Sequence, residues 1–321
     1  MTTAEETPQI NGLIFKELIK RGYSLEGNTR IWNIADSKLW YLTPEQAQGY
    51  LDLGNDESYK KNMDEKEGFH LIETNIEEIL SKINEKHINI IDLGCGDGKK
   101  GATIVKLLQG KAKVRYCPID ISGYMVKKAI DLVSKLDVEE IIESQWNISD
   151  FENLENVTPL LEKGDFKRKI FLILGNTIGN FEINEILYEI RNSMKGGDLL
   201  VIDAAINDEK HEQRALEYTK NKAFNNWLIK IPEQLGLSKD DVEFGVRFRA
   251  PRLEAYYTIK KDKTISLNKK TVTFNKGDQI IILVAYKYDK YDLKSFFNIY
   301  FNDVTVRTSK DTCKILAICK K

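Results

Sequence analysis

The sequence predicts an α/β protein, a largely parallel, doubly wound sheet joined to a second, smaller α+β lobe. Three observations carry this. From about residue 70 to 205, short apolar runs alternate with amphipathic stretches, the pattern of a parallel sheet covered by helices on both faces. The first of these runs, INIIDL, ends in a turn with Gly94, Gly96 and Gly98 spaced two apart. The flanks break the alternation. Residues 1–65 scatter Trp32, Trp40, Tyr41, Tyr50 and Tyr59, and residues 242–285 read as short strands broken by turn signals such as Asn275-Lys276-Gly277-Asp278.

Taken in order, Leu71 to Ile83 has apolar residues at helical spacing. The first core strand spans Asn89 to Leu93, a helix runs from Lys99 to Leu108, and the second strand spans Val114 to Ile119. Ser122 is placed to cap a helix that runs to about Leu136. Ile141 to Trp146 is the expected third strand and KIFLIL, Lys169 to Leu174, the fourth. A helix from Glu182 to Met194 stops at Gly196-Gly197, and Leu199 to Ala204 is the fifth strand. Residues 209–230 read as one long helix. An apolar strand (Ile280 to Tyr288), a helix (Leu293 to Phe301) and a terminal strand (Lys314 to Cys319) close the chain. This order suggests a core sheet whose last strand pair is delayed by an insertion. The core domain is then 62–207 with 286–321. Residues 1–61 with 208–285 form a substrate-binding or lid domain over the strands' carboxyl ends, where open α/β sheets bind ligands.

Composition narrows the function classes. The chain has 321 residues, 42% of them hydrophobic, and 48 basic residues balance 49 acidic ones. Nothing global draws it to nucleic acid. Cys95, Cys117, Cys313 and Cys319 have no C-x-x-C spacing and there are three His, so no zinc or other metal site and no disulfide framework is expected. The start MTTAEETPQI lacks a signal-peptide layout, and no apolar run approaches the ~18 residues of a membrane span. A cytoplasmic protein without membrane contact, and a monomer, is the expectation.

The candidate chemistry lies at the strand ends. Asp120 follows the second strand, 22 residues after Gly98, where a carboxylate meets a ribose. Together with the glycine turn it reads as a nucleoside-type cofactor site. A dinucleotide fingerprint needs G-x-G-x-x-G. Here the spacing is G-x-G-x-G, with Asp92 two residues before it. That resembles the first motif of S-adenosylmethionine (SAM) methyltransferases. Asp150-Phe151 would bond the adenine amine and cover its ring. A plain strand-to-helix turn, and an acid favoured by a helix dipole at Asp120, are the simpler alternatives. After the fourth strand comes Gly175-Asn176-Thr177-Ile178-Gly179-Asn180-Phe181, a polar turn suited to hold a methyl acceptor. It is not the Asn/Asp-Pro-Pro-aromatic motif expected of enzymes that methylate base amines.

The segment LGNTIGNFE, placed after DLGCGDGKK, PIDIS and ISDFENL, resembles the histidine-specific SAM-dependent methyltransferase family, whose best known member trimethylates the α-amine of L-histidine in ergothioneine biosynthesis. WYLTPEQA and FNKGDQIIILVAYKYDKYDL resemble it more loosely. The resemblance implies a Rossmann-like SAM methyltransferase core with a second lobe from the N-terminus and an insertion. It implies SAM bound by Asp92, Gly94, Gly96, Gly98, Asp120, Asp150, Phe151 and Gly175. It implies an acceptor amine held by Asn180 and Tyr218, with Tyr218 or a water it holds taking the proton, and Tyr59 lining the substrate site. The family reads the imidazole with a Glu and a Ser two apart, just before a Lys-aromatic pair. Anchored on Lys287-Tyr288, those positions are Leu283 and Ala285. Two apolar residues cannot hydrogen-bond an imidazole, and an unpaired buried polar group costs ~1–3 kcal/mol. The acceptor expected is therefore the amine of an amino acid or related small molecule with an apolar or aromatic side chain, not histidine. The family also includes a relative that acts on a prenylated tryptophan amine. A protein or peptide amine methyltransferase, and a non-catalytic SAM-binding protein, stand as alternatives.

Overall fold

The computed structural model describes residues 11–63, 65–149, 151, 154–207 and 210–321. Two compact units emerge, Met1–Tyr59 with Glu209–Ala285, and Lys60–Asp208 with Tyr286–Lys321. In chain order the strands are β1 (Ser24–Glu26), β2 (Thr29–Asn33), β3 (His87–Leu93), β4 (Lys113–Ile119), β5 (Glu140–Ile141), β6 (Arg168–Ile173), β7 (Leu199–Ala205), β8 (Val242–Arg249), β9 (Arg252–Ile259), β10 (Lys263–Leu267), β11 (Lys270–Phe274), β12 (Gln279–Tyr286), β13 (Asp303–Thr308) and β14 (Lys314–Lys320).

The larger unit is built on a seven-stranded sheet, β13-β14-β7-β6-β3-β4-β5. Strands β5, β4, β3, β6 and β7 are parallel, while β14 and β13 join antiparallel at one edge. The apolar runs are continuous because both faces are covered. Alternate residues feed opposite cores. Ile88, Ile90, Tyr116, Ile170 and Leu172 enter one, and Ile91, Leu93, Cys117, Phe171 and Ile173 the other. The strand order reverses at β3/β6, which opens a crevice at the carboxyl ends there. This is the Rossmann-like arrangement expected.

Four elements differ from the sequence expectation. The third strand is only Glu140–Ile141. Beyond it, Asn147 Nδ2 donates to the carbonyls of Pro118 (2.6 Å) and Ile142 (3.1 Å), which replaces ladder bonds by side-chain bonds. The Leu71 to Ile83 helix is two helices, Glu65–Thr74 and Ile76–Ile83, broken where Asn75 Nδ2 bonds the Leu71 carbonyl (2.8 Å). The 209–230 stretch contains three helices, His211–Lys220, Lys222–Leu228 and Lys230–Gln234. Asn221 ends the first with an extended backbone and caps the second, its Oδ1 accepting from Phe224 N at 2.8 Å. The apolar strand near Ile280 does not join the core sheet. It is β12, which pairs parallel with β2 in the other unit. The core's last pair is β13 and β14.

The smaller unit holds a five-stranded sheet, β1-β2-β12-β9-β8, and the hairpin β10–β11. The antiparallel pair β8/β9 and a shell of aromatics form its core. Trp40 Nε1 donates to the Ile282 carbonyl at 2.7 Å, and Thr43 and Gln46 form a reciprocal capping box at the start of Pro44–Leu53. Among the described residues no helix is long and apolar enough to cross a membrane.

One buried ion network ties β6 of the larger unit to its surroundings. Lys169, fully buried in β6, donates to Glu162 (2.5 Å) and Asp198 (3.4 Å). The Asp198 carboxylate also accepts from Lys169 N (3.0 Å) and Lys195 N (2.8 Å). Breaking a buried pair strands its partner, so Asp198→Ala is expected to cost about 3–5 kcal/mol. A shift of the urea-unfolding midpoint checks this.

Candidate functional site

At the carboxyl end of β3 the chain turns through Gly94, Gly96 and Gly98, all at positive φ (66°, 53° and 78°). Their surroundings differ. A Cβ on Gly94 would lie 2.7 Å from Thr177 Cγ2, and one on Gly98 2.6 Å from Ala129 Cα. A Cβ on Gly96 would meet nothing within 4 Å. Gly94 and Gly98 are thus packing glycines, and Gly96 is the one whose backbone a ligand can approach. Gly94 N and Cys95 N both donate to the Ile119 carbonyl (2.8 and 3.2 Å), which ties the turn to β4.

Asp120, at the end of β4, turns its carboxylate onto this turn. Oδ2 accepts from Gly96 N (3.1 Å) and Oδ1 from Ser122 N (2.9 Å). Burial pushes this carboxyl above its ordinary value, opposed by those backbone donors. Asp92 points elsewhere. Its carboxyl is buried against Gly101, accepts from Tyr116 Oη at 2.6 Å, and is raised to about 7 by burial.

After β6, Gly175 (φ 75°) and Asn176 (φ 64°) reverse the chain, and Thr177–Asn180 forms a 3₁₀ turn. Asn176 exchanges two hydrogen bonds with β7. Its N–H donates to Asp203 Oδ1 (3.0 Å) and its Oδ1 accepts from Ala205 N (3.0 Å). Thr177 Oγ1 donates to the Leu174 carbonyl (2.7 Å), which turns its methyl onto Gly94. A Cβ on Gly175 would again meet nothing within 4 Å. Asn180 ends the turn half-buried. Phe181 comes next and packs against Phe151, with ring centroids 5.2 Å apart. Glu182 then caps the helix Ile183–Ser193, accepting from Asn184 N (3.0 Å) and Glu185 N (3.2 Å). Asp150 lies outside the described residues.

The larger unit therefore brings together Gly94, Gly96, Gly98, Asp120, Gly175 and Asn180, with Phe151 beside Phe181. Asp203 was missed in the sequence, and Thr177 and Phe181 were named only as parts of the turn, with no role of their own. Asp203 had a visible signal, since LLVID ends in an acid as INIID and YCPID do. A nucleoside fits these residues. Gly96 leaves a cradle that a side chain would fill, and the Asp120 oxygens retain lone pairs for ribose hydroxyls.

In the smaller unit, Tyr59 and Tyr218 come into ring contact at 6.0 Å, with Phe224 5.3 Å from Tyr218 and stacked on Tyr59 at 6.2 Å. Asn221, another residue the sequence did not flag, fixes this arrangement. Its Nδ2 donates to Asp56 Oδ1 (2.9 Å), which also accepts from Tyr59 N (2.9 Å). Burial pushes the Tyr218 phenol up to about 12. Leu283 is buried in the same apolar core and Ala285 packs at its margin.

Residues 57–315 match the family model described as histidine-specific methyltransferase, SAM-dependent. The chain belongs to this family. It is similar to the N-methyltransferase fsqC of Aspergillus fumigatus, 26% identical over 235 residues, covering 68% of this chain and 62% of that protein. It is also similar to the N-methyltransferase imqF of Aspergillus flavus, 26% identical over 132 residues, covering 40% and 34%. The chain spans less than two thirds of the length of these curated relatives. A solved structure, the PH0226 protein from Pyrococcus horikoshii OT3, is matched over 83% of this chain and 93% of that one at 14% identity, with a TM-score of 0.41.

The glycine surroundings separate two variants. Gly96→Ala adds a methyl where the backbone is approachable and is expected to weaken S-adenosylhomocysteine (SAH) binding by about tenfold or more, about 1.4 kcal/mol, while its positive φ costs the fold about 1 kcal/mol. Gly98→Ala drives a methyl into the Ala129 backbone and is expected to lose about 1–3 kcal/mol of stability. Thermal melts and calorimetric titration with SAH distinguish them. Asp92 gives a pH signature. Its folded value, about 7, lies above the ordinary 3.8. The folded chain keeps a proton that the unfolded chain releases, so this group makes stability fall as pH rises through that window. Asp92→Asn is expected to flatten that slope in urea-unfolding midpoints taken from acid to neutral pH.

Proposed function

We propose that this chain is a SAM-dependent N-methyltransferase whose acceptor is the amine of a free amino acid, or a related small molecule, with an apolar or aromatic side chain. The observation that carries the acceptor class is the apolar pair Leu283 and Ala285 within a core of aromatic rings. Family membership supports the reaction type, and both named relatives are N-methyltransferases. The four free cysteines suit a reducing cytoplasm.

SAM, when bound, supplies a methyl group on a cationic sulfur that an amine nitrogen displaces in line. Each residue of the site then has a distinct role. Asp120 accepts from the ribose hydroxyls, and the open backbone at Gly96 and Gly175 admits the cofactor. Phe151 and Phe181 offer ring surface to the adenine. Asn180 orients the acceptor's amine or carboxylate, so that alignment provides most of the rate. Tyr218, with its phenol raised to about 12, is neutral near pH 7 and holds the acceptor as a hydrogen-bonding group rather than as a base. The amine proton then leaves to water.

Methyl-labelled SAM, offered with a panel of free amino acids and a cell extract, tests this. Label is expected on a small amino acid with an apolar or aromatic side chain. Label on histidine would refute the argument from Leu283 and Ala285, and label only on macromolecules would replace the small-molecule acceptor by a protein amine. Asn180→Ala is expected to raise the acceptor KM by about tenfold while the SAH dissociation constant moves less than about threefold. An equal loss of both would assign Asn180 another role.

A further inference from the structure

Asp203 sits near the carboxyl end of β7, 2% exposed. Its two oxygens serve different segments. Oδ1 accepts from Asn176 N at 3.0 Å, and Oδ2 accepts from Lys100 Nζ. Lys100 is the second residue of the helix Lys99–Leu108, which the glycine turn opens. Burial alone would raise this carboxyl, but Lys100 and Lys314 hold it below the usual range. The helix Glu65–Thr74 closes over the pair through Gly68, where a Cβ would stand 3.1 Å from Lys100 Nζ and 3.2 Å from Asp203 Oδ2.

A buried ion pair contributes little net stability relative to an apolar pair of similar volume. The position of this one is better explained by what it connects. The Gly175–Asn180 turn is linked at two points to the segment that follows β3. The Thr177 methyl rests on Gly94, and Asn176 is tied through Asp203 to Lys100. The Asn176 side chain adds a bond to Ala205 N, so the turn cannot tilt without breaking a link to β7.

We infer that Asp203 is a positioning residue that couples occupancy of the Gly94–Gly98 turn to the ordering of the Gly175–Asn180 turn, and so to the placement of Asn180. The inference rests on the cofactor and acceptor roles given to those two turns under the proposed function. Asp203 touches neither ligand in this scheme and acts through Lys100 and Asn176.

Hydrogen exchange read by mass spectrometry, with and without SAH, tests it in the full chain. In the wild-type protein SAH is expected to slow exchange across residues 175–180 by about fivefold or more. Asp203→Asn keeps an oxygen for Asn176 N and loses the charge toward Lys100. It is expected to bind SAH within about threefold of wild type, with the SAH-induced slowing reduced to about twofold or less. A merely structural role would speed exchange with and without SAH alike and leave the SAH-induced difference intact, and that result overturns the inference. Lys100→Met leaves the Asn176 N–H bond to Asp203 but removes the link from Asp203 to the helix that the glycine turn opens. It is expected to lower the slowing to about twofold or less, and it decides the question if Asp203→Asn does not fold. Wild-type slowing in Lys100→Met refutes the coupling. A wild-type chain that binds no SAH would instead refute the cofactor reading, and the coupling with it.

Discussion

The site depends on the close approach of two turns from distant parts of the chain. Strands β3 and β6 are parallel neighbours in register, with Asp92 opposite Leu172 and Leu93 opposite Ile173. The segments that leave their carboxyl ends must therefore emerge side by side. The chain after β3 leads to the helix Lys99–Leu108, and the chain after β6 to the turn Thr177–Asn180. They fit only because the first residue after β3 has no side chain, so that the Thr177 methyl fills the space a Cβ on Gly94 would take. A larger residue there would push the turn after β6 off the turn after β3. The sheet's topological switch point fixes where the two turns meet, and Thr177 on Gly94 fixes how close they come.

Three acids end three adjacent or near-adjacent strands, and the fold treats each differently. Asp92 is desolvated and bonded to Tyr116, and its burial raises it to about 7. Asp120 is fixed by two backbone N–H groups and faces the open glycine. Asp203 is held charged by lysines and fixes the neighbouring turn. The same residue type near the carboxyl ends of three strands thus finds three different surroundings, a tyrosine hydroxyl, two backbone N–H groups and lysines. The partner each finds separates them, since burial disfavours the charged form in all three and only donors or cations restore it.

Burial and partner choice also explain how much was legible in the sequence. The parallel strands and the helix Lys99–Leu108 were legible because continuous apolar runs and a 3.6-residue period result directly from burial. The breaks were not. Asn75, Asn147 and Asn221 each end or divert an element by a side-chain bond to the backbone, a local competition that leaves no trace in periodicity. Strand β12 reads like a core strand because it is equally apolar, yet apolarity does not specify a partner, and it pairs with β2. At the site, three glycines read alike as ligand glycines, whereas Gly94 and Gly98 are also packed against Thr177 and Ala129 and Gly96 is set by its positive φ alone. That distinction needs neighbours far along the chain. Tyr59 and Tyr218 came from family resemblance alone, and their ring contact depends on the Asn221–Asp56 bond, which no local pattern encodes.

On the proposed reading, the apolar strand β12 also constrains what selectivity this chain can have. From Ile280 to Leu283 every residue is buried, and Leu283 shares its core with Trp40, Phe224 and Trp227. A carboxylate there would be desolvated and its pKa raised, so it would lose the charge that makes it a good imidazole acceptor. Reading a polar side chain at this position would take a cationic or donor partner, and Leu283 packs in a core with Trp40, Phe224 and Trp227. An apolar pocket discriminates weakly, by about 1–3 kcal/mol per methylene, whereas a site built to bond a polar group rejects analogues far more strongly. On the proposed reading, then, this chain gives up the sharp selectivity of a histidine reader for a broader preference set by shape. The strict requirement moves to the amine, the one group every acceptor shares, and to the turn that presents Asn180 to it.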